Sequence, residues 1–147
     1  MRRVGRAAWT WVALVGLAAV AAGCDTPTSP TSSPGYSQTD LRAGVGAEAV
    51  NGSLVTVEYT GWFYDASQTD AKGLQFDTSA NREPFVYTVG AGQVIAGWEK
   101  GIPGMRVGGM RRLIVPPSLA YGFTRVGLIP PNTTLVFEVE LVDVAVQ

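Results

Sequence analysis

The sequence predicts an α+β domain in which an antiparallel, twisted sheet half-wraps one short helix. Segments of alternating apolar and polar residues, separated by glycine and proline, predict strands with one face in water. Residues 94–101 instead carry apolar side chains at helical spacing. Because a helix of two turns is unstable alone in water, the sheet must cover it. Its Trp98 is then either the centre of a sealed core or the floor of a cavity.

Composition excludes several classes of function. The 147 residues are 46% apolar and 16% charged, which is typical of one globular domain with additional segments. The chain has no histidine and one cysteine, so imidazole catalysis, Cys/His zinc sites and an internal disulfide are excluded. The sequence also shows no carboxylate cluster with metal-ligand spacing, so we expect neither a metal nor a cofactor.

The first 23 residues have the form of an export signal. Arg2, Arg3 and Arg6 precede an apolar run at 7–22, which is short for a membrane-spanning helix and ends in small residues. The segment resembles a bacterial lipoprotein signal, in which Cys24 would be lipidated and become the mature N-terminus. The alternative is an ordinary cleaved signal with an incidental cysteine. We predict a protein exported and lipid-anchored to a bacterial membrane, on its periplasmic or cell-surface side.

Between this signal and the domain, residues 24–40 predict a flexible linker. They are rich in serine, threonine and proline and nearly devoid of apolar side chains. The folded domain is then expected at residues 41–147. Loss of the three signal arginines would leave 8 basic and 12 acidic residues, a net charge of −4. That balance does not support nucleic-acid binding.

Within the domain, alternation predicts strands at 54–63, 85–89 and 135–142. A further strand is expected at 110–115, between the glycine pair at 108–109 and the proline pair at 116–117. Residues 64–73 are polar and predict a loop or bulge. Consecutive arginines on the strand at 110–115, Arg111 and Arg112, should point to opposite faces and be solvated at the sheet edge. On the last strand, Glu138 and Glu140 should form a face in water.

Seven segments occur in the order found in the FKBP-type peptidyl-prolyl cis-trans isomerases, which the chain resembles from about Leu41 to its C-terminus. They are YTG at 59–61, FDTS at 76–79, PFVY at 84–87, VIAGWEKG at 94–101, MRVGG at 105–109, LAYG at 119–122 and IPPNTTLVF at 129–137. The resemblance implies a shallow apolar pocket between the concave face of the sheet and the helix, with proline-containing segments of exported proteins as substrates and macrolides as ligands.

The same resemblance implies site residues, position by position. Residues implied in catalysis are Tyr59, Asp77, Tyr121 and Phe137, and residues implied in substrate binding are Phe76, Phe85, Val94, Ile95, Trp98 and Ile129. Trp98 would be the pocket floor. The backbone N–H of Ile95 and the hydroxyl of Tyr121 would donate to peptide carbonyls, and Asp77 would orient Tyr59 or act on the imide through its field.

Taken without the resemblance, these residues have plainer interpretations. Aromatic side chains in a small β domain are more often core residues, and Asp77 is more often a turn or cap residue. Two other functions also remain: a proline-binding or chaperone module without turnover, and a purely structural lipoprotein. Prolyl isomerisation itself needs no histidine, since no bond is broken and an apolar slot can favour the twisted imide.

Overall fold

The computed structural model describes residues 33–145. The predicted signal, Cys24 and most of the predicted linker lie outside these residues. In chain order the described elements are β1 Ser37–Arg42, β2 Leu54–Tyr64, β3 Lys72–Thr78, β4 Phe85–Thr88, α1 Ala96–Gly101, β5 Met110–Val115 and β6 Leu135–Ala145. Short 3-10 turns at Thr69–Ala71 and Pro117–Leu119 complete them.

The strands form one antiparallel sheet in the order β1-β5-β6-β2-β3. The long strand β2 pairs with β6 along one side, while β4 and then β3 share its other side. Alternation explains the central strands, because the inward residues of β2 and β6 are buried completely, as at Val55, Val57 and Val139. The predicted fold class is confirmed, with α1 against the concave face of the sheet.

The polar segment at 64–73 is a loop only in part. The 3-10 turn at Thr69–Ala71 lies within it, and β3 begins at Lys72. The sequence signal for β3 is weak because its register on β2 shifts beside Gly61 and again beside Trp62. Such irregular pairing breaks the strict alternation by which strands are recognised.

The sheet begins at Ser37, so the predicted linker is wrong over residues 37–40. Backbone pairing with β5 forms β1, from Ser37 opposite Ile114 to Arg42 opposite Met110. All six of its side chains are exposed, and the strand therefore has no apolar alternation that a sequence pattern would reveal. Just before it, Tyr36 packs against the core, and the Lys100 Nζ lies 4.4 Å from the centroid of its ring.

Helix α1 has only six residues and lies close against β5. Two of its buried residues are glycines, and this permits the close approach. A Cβ at Gly97 would lie 2.4 Å from a methyl carbon of Val115, and one at Gly101 would lie 2.6 Å from a methyl carbon of Leu113. Among residues 33–145, no helix is long and apolar enough to cross a membrane.

Arg111 is buried, contrary to its predicted place in solvent at a sheet edge. It is 8% exposed, because β1 covers β5 and because the arginine shares the inward face of β5 with Leu113. Its Nη1 donates to the carbonyl of Gly101, at the C-terminal end of α1, at 2.7 Å. Its Nε and Nη2 donate to the Asp40 carboxylate at 2.5 and 3.2 Å. One guanidinium thus joins β1, β5 and α1.

The predicted solvation of Arg112 and Glu138 is also wrong. Each side chain is 17% exposed, and the Arg112 Nη2 donates to Glu138 Oε1 at 2.8 Å. Lys72 donates to the same oxygen at 2.9 Å, and the Arg112 Nη1 donates to Asp70 at 2.9 Å. Burial raises the pKa of Glu138, but the hydrogen bonds from Lys72 and Arg112 outweigh it and hold that pKa below its usual value. These contacts secure the loop before β3 to the sheet.

We expect Arg111→Met to lower the free energy of unfolding by about 1 to 3 kcal/mol, because the buried Gly101 carbonyl would lose its donor. Asp40→Asn should cost less than about 1 kcal/mol, because that carboxylate is 58% exposed. Urea denaturation measures both. Arg125→Met, at an exposed arginine with no side-chain hydrogen bond among residues 33–145, is the matched control. Equal stability of the Arg111 and Arg125 variants would contradict the expectation.

Candidate active site

A cavity of about 380 Å³ opens between the concave face of the sheet and the N-terminal end of α1. Strands β2, β3, β4 and β6, the start of α1 and the loop before β6 all contribute to it. Its lining consists of Tyr59, Phe76, Asp77, Phe85, Gln93, Val94, Ile95, Trp98, Tyr121, Val126, Leu128, Ile129 and Phe137. All but Asp77 and Gln93 have aromatic or aliphatic side chains, so the cavity is mainly apolar.

Trp98 lies at the base of the cavity, 4% exposed. The rings around it meet it edge to face: Tyr59 at 5.2 Å between centroids, Phe137 at 5.5 Å and Phe85 at 6.2 Å. This geometry places the partly positive ring edges against the faces of neighbouring rings and holds each in one orientation. The choice that the sequence left open is resolved, since Trp98 belongs to the core and also faces the cavity.

Gly61 on β2 allows two phenylalanines to form one wall of the cavity. A Cβ there would lie 2.6 Å from a ring carbon of Phe76 and 3.0 Å from one of Phe137. These two rings stand edge to face at 5.7 Å between centroids. A larger residue at position 61 would displace both rings, so the width of the cavity depends on this glycine.

A short polar chain lies beside this wall, because Asp77 is the partner of Gly61 in the pairing of β2 with β3. The Tyr59 hydroxyl donates to Asp77 Oδ2 at 2.5 Å, and the Arg82 guanidinium donates to Asp77 Oδ1 at 2.6 Å and to the carbonyl of Thr78. Burial, and then the hydrogen bond to Asp77, raise the pKa of Tyr59 to about 12. Both oxygens of the carboxylate are therefore engaged, one by a hydroxyl and one by a cation.

The backbone N–H of Ile95 and the hydroxyl of Tyr121, both in the cavity lining, have no partner in the described part of the chain. The Ile95 carbonyl accepts from Trp98 and Glu99, but its own N–H donates to no group among residues 33–145. The Tyr121 hydroxyl likewise makes no hydrogen bond there. Burial, and then the charge of Asp77, raise the pKa of Tyr121, so its hydroxyl keeps its proton and remains a donor at neutral pH.

The loop between Tyr121 and Ile129 ends in a tight turn over the cavity. Val126 and Ile129 exchange two backbone hydrogen bonds, of 3.1 and 2.9 Å, around Gly127, whose φ is 55°. This turn presents Val126 to the cavity, together with Leu128, which is 73% exposed.

The structure brings all ten residues expected from the sequence to this one cavity, although their roles remain predictions. Sequence reasoning missed Gln93, Val126 and Leu128 in its lining and Arg82 beside Asp77. All four lie in turns or loops, where no periodic pattern indicates the direction of a side chain. No group of acidic or cysteine side chains that could hold a metal occurs within residues 33–145.

Comparison with known proteins agrees with this geometry. Residues 46–142 match the family model of the FKBP-type peptidyl-prolyl cis-trans isomerases. A FK506-binding protein of Neisseria meningitidis is 47% identical over 107 residues, which cover 71% of this chain and 92% of the relative. FK506-binding protein 2 of Candida glabrata is 50% identical over 100 residues, covering 67% of this chain and 69% of the relative.

Solved structures show the same fold. The crystal structure of AtFKBP13 superposes with a TM-score of 0.64 at 37% identity, over 75% of this chain and 93% of that one. FkpA from Escherichia coli superposes with a TM-score of 0.62 at 40% identity, over 75% of this chain and 48% of that one.

We expect the raised pKa of Tyr59 to make the fold less stable in alkali. Unfolded tyrosine loses its proton near pH 10, whereas folded Tyr59 does so at about 12. The folded state therefore binds more protons than the unfolded state between these pH values. The contribution of Tyr59 to the free energy of unfolding is fully present below pH 10 and is lost as the pH rises towards 12. Urea denaturation at pH 9 and 11 measures the loss. Tyr59→Phe should show a smaller loss than the parent, and an equal loss would contradict this assignment.

Proposed function

Because the chain belongs to the FKBP-type peptidyl-prolyl cis-trans isomerases, we propose that it isomerises Xaa-Pro bonds of exported proteins by desolvating the imide in the aromatic cavity. The isomerase activity is that of the family. The observation that carries the proposed mechanism is the Trp98 floor, ringed by aromatic side chains and open at a mouth where Ile95 and Tyr121 offer free donors.

The barrier to Xaa-Pro rotation comes from amide resonance, which gives the C–N bond partial double-bond character and places charge on the carbonyl oxygen. Rotation must overcome about 18 to 20 kcal/mol and takes tens of seconds or more unaided. Water stabilises the polar planar amide more than the twisted form. Transfer of the imide into an apolar cavity removes that stabilisation and therefore favours the twisted state.

The required effect is modest compared with that of enzymes that break bonds. A millionfold acceleration requires the protein to bind the transition state more tightly than the ground state by about 8 kcal/mol. Aromatic edges and faces around Trp98 supply a slot for the proline ring without any proton transfer. The absence of histidine from the sequence is consistent with such a mechanism.

The polar groups then position the peptide. The Ile95 N–H and the Tyr121 hydroxyl lie at the mouth, free to donate to backbone carbonyls on either side of the proline. Asp77 acts mainly by orienting Tyr59, because Arg82 already neutralises its charge at 2.6 Å and so weakens its field on the imide. Tyr59 in turn packs edge to face with Trp98.

The same cavity is also the site at which a macrolide would bind. Several relatives are named FK506-binding proteins, and the cavity of this chain is apolar and large enough for part of such a ligand. The turn at 126–129 would contact the ligand from above through Leu128.

Export and anchoring rest on the sequence alone, since residues 1–32 lie outside the described part. A basic start, an apolar run and the single cysteine at position 24 support a lipoprotein signal. With acyl chains on Cys24, the domain would stand at a membrane surface, where newly exported chains are still unfolded.

We expect Tyr121→Phe to lower kcat/KM by about 3- to 10-fold, which corresponds to the loss of one neutral hydrogen bond. Asp77→Ala should lower it by about 10-fold or more, because Tyr59 and Arg82 both lose their acceptor, whereas Asp77→Asn should lose less. A protease-free assay on a leucyl-prolyl peptide measures these rates. Tyr64→Phe, outside the cavity, is the control.

In that assay, a parent protein that binds the peptide without accelerating its isomerisation would overturn the proposal and leave a proline-binding module. Equal losses for Asp77→Asn and Asp77→Ala would show that the charge of Asp77 acts through its field.

For the anchor, we expect the parent protein in the membrane fraction of a bacterial host to carry acyl chains on Cys24, as measured by mass spectrometry of its N-terminal peptide. Cys24→Ala should abolish the acyl mass and release the protein from that fraction. An unmodified cysteine in a membrane-associated parent protein would exclude lipidation.

A further inference from the structure

Gln93 lines the cavity mouth beside Val94, yet nothing in the proposed mechanism uses it. Its Oε1 accepts the backbone N–H of Thr88 at 2.8 Å. Because a backbone N–H can only donate, this bond identifies which branch of the amide is the oxygen. The other branch, Nε2, carries two N–H donors and makes no hydrogen bond among residues 33–145.

The support around Gln93 holds it in place. Thr88 is the last residue of β4, and the loop that follows is joined to α1, since the Glu99 carboxylate accepts the N–H groups of Gly90 and Gly92 at 2.7 and 2.9 Å. A side chain held at its oxygen has already lost most of its rotational freedom. Binding through its nitrogen would therefore cost little further entropy.

We propose that Gln93 is a substrate-binding residue whose Nε2 donates to a backbone carbonyl of the peptide segment flanking the proline, an inference that rests on the proposed function. A proline ring over Trp98 places the neighbouring backbone at the mouth, where Ile95 offers one free N–H. Peptide carbonyls that leave water there need further donors. Gln93 supplies a neutral donor that is compatible with any residue type in the peptide, since it would bind a main-chain carbonyl.

Gln93→Glu tests this assignment, because it separates the two branches of the side chain. One carboxylate oxygen still accepts from Thr88, while the free donor becomes an acceptor that repels a carbonyl. We expect the Kd of a blocked, uncharged tetrapeptide with a central leucyl-prolyl bond to rise about 3- to 10-fold, with an unchanged unfolding midpoint. Titration at high salt suppresses any general effect of the added charge.

Gln38→Glu is the matched control. Gln38 also accepts through its Oε1, from Tyr36, and lies on β1 outside the cavity. The Kd of the tetrapeptide for Gln38→Glu should equal its Kd for the parent protein. Gln93→Met is a second variant, which removes the donors without adding charge and should also weaken binding, together with some loss of stability because the Thr88 bond is lost.

A Kd that is unchanged in Gln93→Glu overturns the assignment. If Gln93→Met binds more weakly while Gln93→Glu binds like the parent protein, the bond to Thr88 is what supports binding, and the Nε2 donor has no role. These binding results are independent of turnover. If the parent protein binds the peptide but does not isomerise it, the proposed function fails while the role of Gln93 is still decided by the Kd values.

Discussion

The position of α1 depends on the buried guanidinium of Arg111. A helix of six residues contributes too few internal hydrogen bonds to be stable alone, so its neighbours must fix it. Arg111 binds the carbonyl of Gly101 at one end of the helix, while two glycines allow close contact with β5 along its length. The cavity floor, Trp98, lies on this helix. The geometry of the aromatic site therefore depends on an ion pair at the other end of α1, outside the cavity lining.

Much of the fold was predictable because it follows local rules. Strands β2 and β6 place apolar residues on the inward face in alternation, and the segment predicted at 110–115 from its flanking glycine and proline pairs agrees with β5 at Met110–Val115. The first strand was not predictable, since all its side chains are exposed and show no apolar alternation. Because β1 was missed, Arg111 on β5 was expected in solvent at the edge of the sheet. In the structure β1 covers that edge, and Arg111 is buried.

The candidate site shows the same division. The resemblance to the FKBP family placed ten lining residues, because its seven ordered motifs match this sequence position by position. Gln93, Val126 and Leu128 escaped, since a loop can turn a side chain towards the cavity or away from it with equal ease. The Arg82 to Asp77 pair escaped for the same reason, and it changes the interpretation of Asp77, the one acidic side chain that residues 33–145 contribute to the cavity lining.

Strand β1 also determines how the domain would respond to mechanical load. It is an edge strand, and the chain that precedes it enters the described structure at Ser33. A pull across the sheet would first load Tyr36, which packs against the core beside Lys100 of α1. It would then peel β1 from Ser37 onward and reach Asp40 and its ion pair with Arg111 only afterwards. A pull along the strand would instead shear its backbone bonds together. Load on the N-terminal segment would thus reach α1 through Tyr36 before it reached the exposed ion pair of Asp40.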